Sequence, residues 1–208
     1  MEKIVMKIAV IGAAGNAAQR IVREALDRGH EVTAIGPNPD KLAALGATTT
    51  ATGDITRPDD LAPLLAGHDV VVSAVRFVKY DPAQLLQAVR TAGVSRLAVV
   101  GGAGSLTSPA GGTVAEGPNF PEAARPEATA GARVLDALRA EPSLDWTFLS
   151  PSAIFAAGER TGIFRLGKDD LLVSVDGKSH ISFEDYAIAF VDELEAGAHS
   201  RQRFTVGY

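Results

Sequence analysis

The chain has 208 residues, 46% hydrophobic and 22% charged, with a formal net charge of −5 and no cysteine. That length suits one domain, residues 1–208, with a large core. The acidic balance argues against nucleic acid as a default partner, and the absent thiols exclude disulfides, thiol catalysis and thiolate metal sites.

The first element read along the chain is an apolar strand, Lys7–Gly12, running into the turn Gly12-Ala-Ala-Gly15-Asn-Ala-Ala18. Gly12 can take a turn conformation that a side chain resists, and Gly15 lets the backbone approach a ligand closely. The helix Asn16–Arg28 then presents its free N–H groups and positive dipole end to an anion such as a pyrophosphate. A tight turn with no ligand is the plainer alternative.

A second strand, Glu31–Gly36, leads through Pro37 and Asn38 to a helix over Pro39–Leu45. An acidic residue at this strand end would hydrogen-bond a ribose, and an arginine would pair with an extra phosphate. Neither is present, although Asn38 could serve a hydroxyl and Lys41 a phosphate. A third strand, Ala47–Gly53, ends at Asp54-Ile55, ahead of a helix over Pro58–Ala66. Asp54 either accepts from an adenine amino group, with Ile55 covering the ring, or caps that helix together with Thr56.

The fourth strand, Asp69–Val75, is followed by Arg76 and a helix over Asp81–Ala92; the fifth is Arg96–Gly101. A glycine-rich loop, Gly101–Asn119, is the one long irregular stretch, and such loops are usually functional or mobile. A helix over Glu122–Ala140 and a sixth strand, Asp145–Leu149, complete the alternation. Runs such as Val70-Val71-Val72 are apolar on both faces, as a covered parallel sheet requires. Prolines 39, 58 and 82 fall at helix starts and glycines 29, 67 and 93 just past helix ends. This punctuation predicts an α/β fold, a doubly wound parallel sheet.

Beyond Leu149 the rhythm breaks. Residues 151–181 are expected to form a small C-terminal substrate lobe over the strand ends, with a short strand at Leu171–Val175. Ser182-Phe-Glu-Asp185 resembles a capping box opening a helix over Glu184–Ala196, and Arg203–Val206 suits a final strand. The N-terminus shows no leader pattern, and no run of about 18 apolar residues occurs. A cytoplasmic protein with no membrane partner is the simplest expectation.

Few side chains offer chemistry. His30, His68, His180 and His199 are scattered without metal-ligand spacing, so no metal is expected. Gly104-Ser105-Leu106 lacks the nucleophile elbow of serine hydrolases. Ser105 either donates a hydrogen bond to a substrate or bonds its own loop. Arg76 contacts an anion or lies solvated, and Phe77, Phe155 and Phe164 stack on a planar ring or fill the core. Glu116, Glu122 and Glu127 read as solvated charges.

Taken together, Gly12-xx-Gly15-xx-Ala18, Gly53-Asp54-Ile55, Ser73-Ala74-Val75 and Gly101-Gly-Ala-Gly-Ser105 resemble the atypical short-chain dehydrogenase/reductase superfamily. The likeness is to its NAD(P)H-binding branch, which holds flavin and biliverdin reductases and NmrA-like sensors. It continues through Asp145-Trp-Thr-Phe-Leu-Ser-Pro151 and Gly158-Glu-Arg-Thr-Gly162 to Ile181-Ser-Phe-Glu-Asp-Tyr186. The resemblance implies a Rossmann-like fold binding NADP or NAD across the strand ends. Gly12, Ala14, Gly15, Asn16 and Ala17 would hold the pyrophosphate, and Asp54 and Ile55 would flank the adenine. Ser73, Ala74 and Val75 would line the ribose, with Arg76 near a phosphate. Gly101, Gly102, Pro151 and Ser152 would bracket the nicotinamide. Pro37 and Asn38 would sit beside the adenine ribose, with Pro37 where NADP-binding relatives often carry a basic residue. Ala18 replaces the third glycine.

Standard short-chain dehydrogenases use a Tyr with a Lys four residues on; Tyr80, Tyr186 and Tyr208 all lack it. The expected function is therefore hydride transfer to a planar acceptor, a flavin, quinone or bilin, with Ser105 as the candidate helper. A homodimer fits this reading. The rival is a non-catalytic redox sensor acting through a protein partner. An open aromatic pocket beyond the nicotinamide would favour the reductase, and a loop Gly101–Asn119 closed over it the sensor.

Overall fold

The computed structural model describes residues 5–208. The expected absence of a leader falls in part on residues 1–4, which lie outside them. Ten strands form in chain order: β1 Lys7–Ile11, β2 Glu31–Gly36, β3 Thr49–Thr52, β4 Val70–Ser73, β5 Arg96–Val100, β6 Asp145–Ser150, β7 Ile154–Ala156, β8 Arg165–Gly167, β9 His180–Ser182 and β10 Gln202–Gly207. The helices are α1 Asn16–Asp27, α2 Pro39–Ala43, α3 Pro58–Leu65, α4 Pro82–Thr91, α5 Arg125–Arg139 and α6 Phe183–Ala196.

Eight strands make one sheet in the order β3-β2-β1-β4-β5-β6-β10-β8. All its pairs are parallel except β10 with β8. Chain order reverses at β1, which lies between β2 and β4, with Ile8 opposite Val32 on one side and Val70 on the other. Such a switch opens a crevice at the carboxyl ends of the strands, where ligands of doubly wound sheets bind. This is a Rossmann-like α/β fold, as the alternating pattern predicts.

Side chains alternate through the sheet. Ile8 and Val10 pack with Ile21, Val22 and Phe190 of α1 and α6 on one face. Ala9 and Ile11 pack with Leu61, Leu85 and Leu135 of α3, α4 and α5 on the other. Each fully buried aliphatic side chain contributes about 1.5–3 kcal/mol, so the two clusters supply most of the drive to this arrangement. Gly29, Gly67 and Gly93 adopt positive φ just past their helices, as their placement predicts.

Three local expectations are corrected. Leu171–Val175 is irregular: it runs into the turn at Asp176-Gly177, and Val175 is fully exposed, so its apolar character reflects no buried face. The strand that does join the sheet from this region is β8, antiparallel to β10. The helix over Glu122–Ala140 is divided, with a 3-10 turn at Glu122–Ala124 before α5 begins at Arg125; Pro126 occupies its first turn. Ser182 caps α6 by accepting from the Asp185 amide (2.9 Å), but Asp185 does not reciprocate as a capping box requires. Its carboxylate instead accepts from Thr161, Gly162 and Tyr208.

Candidate functional site

The carboxyl ends of β3, β2, β1, β4, β5 and β6 lie side by side in that order. They bring Asp54, Asn38, Gly12, Ala74, Gly101 and Pro151 to one edge of the sheet, spanning about 24 Å at the usual strand spacing.

At its centre, Gly12 adopts φ +80° and its N–H donates to the Ile35 carbonyl (2.8 Å), tying the turn to β2. A Cβ there would stand 2.9 Å from Val75 Cγ2 and 3.0 Å from the Ala74 carbonyl, so glycine is required twice over. Gly15 is different. Its φ of −70° is open to any residue, and an added Cβ would stand 3.3 Å from the Gly12 carbonyl, a tight fit rather than a clash, and in ordinary contact with the Ala74 carbonyl and Ala18 Cβ. The fold does not demand glycine at that position, but a side chain would cover the start of α1. No side chain caps that helix, and its first turn has no acidic residue. The amides of Ala14, Asn16, Ala17 and Ala18 have no partner in the chain among the described residues. An uncapped row of donors under an empty Cβ position fits a diphosphate. The residues present therefore fit a dinucleotide.

The flanking predicted residues are placed as follows. Pro37 and Asn38 are exposed, and Asn38 Oδ1 accepts from the Lys41 amide (3.0 Å) as the cap of α2. Ile55 is buried, whereas Asp54 is exposed and accepts from Thr56 N and Oγ1 at 2.9 and 2.8 Å. Those bonds hold the Asp54 carboxyl below the usual carboxylate range. Asp54 does not cap α3 as one reading supposed, because the capping position is Arg57, without a side-chain bond. Ser73 is buried beside Tyr80, and neither hydroxyl has a well-formed hydrogen bond. Burial pushes the Tyr80 hydroxyl well above the ordinary phenol range. Arg76 is 69% exposed and lies 3.6 Å from Glu127.

Toward β5 and β6 the edge opens into a cavity of about 300 Å³. A Cβ on Gly101 would come within 2.5 Å of the Phe148 ring and 2.6 Å of the Leu149 carbonyl, so this floor also requires glycine. Gly102, Ser105, Pro151 and Ser152 line the cavity, with Phe77 and Phe155 among its aromatic walls. Phe164 is not part of it. The Ser152 hydroxyl donates to the Val206 carbonyl (3.0 Å), so its role here is to hold β6 to β10. Ser105 Oγ faces Arg203 Nη1 at 3.5 Å, and Arg203 is held in turn by Asp169.

Two features were not legible in the sequence. The wall contributed by α5 and the turn before it carries small residues, Ala124, Ala128, Gly131 and Ala132, at helical spacing. A Cβ on Gly131 would come within 2.9 Å of the Phe77 ring. The spacing was a readable signal, although its partner was not. Glu127 is not a solvated charge: its carboxylate accepts from the Phe77 and Val78 amides, at 2.8 and 3.3 Å, and lines the cavity. Those partners lie about fifty residues away, so no local pattern announced it. Glu116 and Glu122 remain local, bonded to Thr113 and Arg125.

Among the described residues no cluster of side chains could hold a metal, and no helix is long and apolar enough to cross a membrane. A family model described as NAD(P)H-binding matches residues 12–196. An uncharacterized Bacillus subtilis protein, YwnB, is 40% identical over 97% of the chain and 98% of its own length. A crystal structure from Bacteroides thetaiotaomicron, provisionally named an epimerase, superposes with a TM-score of 0.92 at 40% identity, covering 99% of the chain and 98% of its own. Another from Streptococcus pneumoniae, provisionally named an NADH-flavin reductase, gives 0.81 at 39% identity, covering 97% and 99%.

Proposed function

The chain belongs to the NAD(P)H-binding family, and from that premise we propose that it is a reductase passing hydride from the dinucleotide to a planar acceptor in the cavity beside β5 and β6. The supporting observation is adjacency. The donor row at Gly12–Ala18 and the apolar cavity at Gly101–Ser105 share one edge of one sheet. A dinucleotide anchored at the first would place its nicotinamide over Gly101 and Pro151, at the mouth of the second. When bound, the reduced dinucleotide supplies a hydride, two electrons with one hydrogen nucleus, and a quinone that takes it with one proton from water leaves as a quinol.

The chain's own residues position the reactants and exclude water. Where a Tyr–Lys relay would be wanted, α5 offers only alanines, a glycine and Glu127 to the cavity. A conjugated acceptor needs no such relay, because its rings hold the incoming charge. Positioning then supplies most of the rate. The sensor reading called for loop Gly101–Asn119 to close over the nicotinamide position. Residues 102–105 form one wall instead, Phe120 and Pro121 another, and space remains between them. The absence of a membrane-crossing helix among the described residues is compatible with the cytoplasm as the site of action.

The test is direct. Purified protein given NADPH or NADH with flavins and quinones should consume the reduced cofactor, followed by loss of its absorbance. Gly15→Val, which covers the free amides at the start of α1, should abolish consumption by removing cofactor binding. Absence of turnover with flavins, quinones and bilins alike would overturn the enzymatic reading.

A further inference from the structure

We propose that the acceptor is an uncharged planar molecule, a quinone or a flavin without its phosphate, and that anionic acceptors are disfavoured. This deepens the reading just given and rests on it.

Three observations carry it. First, no lysine, arginine or histidine lines the cavity, and its one charge is the Glu127 carboxylate. The basic residues of the neighbouring elements are paired with carboxylates, Arg203 also facing Ser105 Oγ at 3.5 Å from behind the cavity wall. Arg125 donates to Glu122 and the Ala115 carbonyl, and Arg203 pairs with Asp169. Arg76 lies against Glu127 from the solvent side, mostly exposed and therefore screened. A phosphate or carboxylate on the acceptor would meet a carboxylate on the wall and the dinucleotide's own diphosphate on the same edge, with no counter-charge. Like charges in a partly desolvated site repel more strongly than in water.

Second, the polar groups on offer are donors. The amides of Gly102, Ala103, Gly104 and Ser105 make no hydrogen bond within the chain among the described residues, and all four residues line the cavity. The carbonyl oxygens of a quinone or flavin ring are partners for them, so an acceptor needs no charged group to be held. Hydride addition to a quinone leaves negative charge on oxygen until water protonates it, and preorganised amides stabilise that charge as it develops. Third, about 300 Å³ is at the lower end of ligand pockets. It suits a bare ring system better than one carrying extended substituents.

Acceptor pairs differing by one anionic group test this, with the salt dependence separating charge from bulk: riboflavin against flavin mononucleotide, and 1,4-naphthoquinone against its 2-sulfonate. Two readouts apply, kcat/KM with NADPH and calorimetric affinity in the presence of oxidised dinucleotide. Each neutral member should exceed its anionic counterpart about tenfold at low salt, with the ratio shrinking as ionic strength rises. Ala124→Lys, which sets a cation at the cavity wall, should narrow or reverse the preference. Glu127→Gln should narrow it. Equal or tighter binding of the anionic members would overturn the charge inference while leaving the reductase reading intact. No turnover with any of the four or with a bilin, in protein that binds dinucleotide, would overturn both.

Discussion

At the residue scale the site depends on where side chains are missing. Gly12 and Gly101 are fixed by the chain's own packing, whereas Gly15 is explained only by what must approach α1 from outside. The first turn of α1 was legible because strand, glycine turn and helix are consecutive. Asp54 and Ser152 were legible as residue types but not as roles, since Asp54 bonds two residues on and Ser152 bonds fifty-four residues away. The adenine side carries no fixed charge at Pro37, whose side chain is exposed. Pro37→Arg should therefore tighten NADPH about tenfold and leave NADH nearly unchanged, because only the former brings an extra phosphate for a guanidinium to grip. Calorimetric titration of both cofactors measures it; equal effects would show that residue 37 does not face the ribose.

At the element scale the segment Gly158–Gly162 shows how an irregular stretch is held without strands. Its anchor is Asp185 in the first turn of α6, fully buried, accepting from the amides of Thr161 and Gly162 at 2.8 and 2.9 Å and from the Tyr208 hydroxyl at 2.7 Å. Burial pushes its carboxyl up, but these donors outweigh it and hold it below the usual carboxylate range. The sign follows from linkage: a carboxyl depressed on folding stabilises above its unfolded pKa, about 3.9, and that contribution is lost as pH falls through the lower folded value. Asp185→Asn should cost about 2 kcal/mol at pH 7, the scale of hydrogen bonds to a charged group. It should also flatten the loss of stability below about pH 4. Denaturant titrations of both proteins across that range decide it. The sequence offered Ser182 to Asp185 as a capping box and so hid this second use of the aspartate. The strand expected at Leu171–Val175 failed for a related reason: alternation and apolar content cannot show which edge of a sheet is free.

At the scale of the whole molecule, the doubly wound parallel sheet was legible because burial on both faces and helix punctuation repeat through the chain. The ionic seam between α1 and α6 was not. Arg28 donates to Glu24, Asp192 and Glu195, at 2.7–2.9 Å, and Glu24 also receives Arg160. Burial works against the charge of Arg28, yet the carboxylates around it raise its pKa and keep it protonated. Glu24 and His30 are themselves buried in this seam, and His30 is bonded to Glu195 (3.0 Å). Arg28→Met would strip one of two guanidinium partners from a largely buried carboxylate and should lower stability by about 2 kcal/mol, read as a fall in Tm of several degrees.

The seating of Gly12 against Ala74 and Val75 also has a bearing on biosynthesis. The corner that offers its amides is walled by chain about sixty residues downstream, so a ribosome releases it half-built. Until β4 follows, β1 lacks one of its two sheet neighbours. A nascent polypeptide halted before residue 70 would therefore carry the glycine motif intact and still have no binding corner to close around a coenzyme.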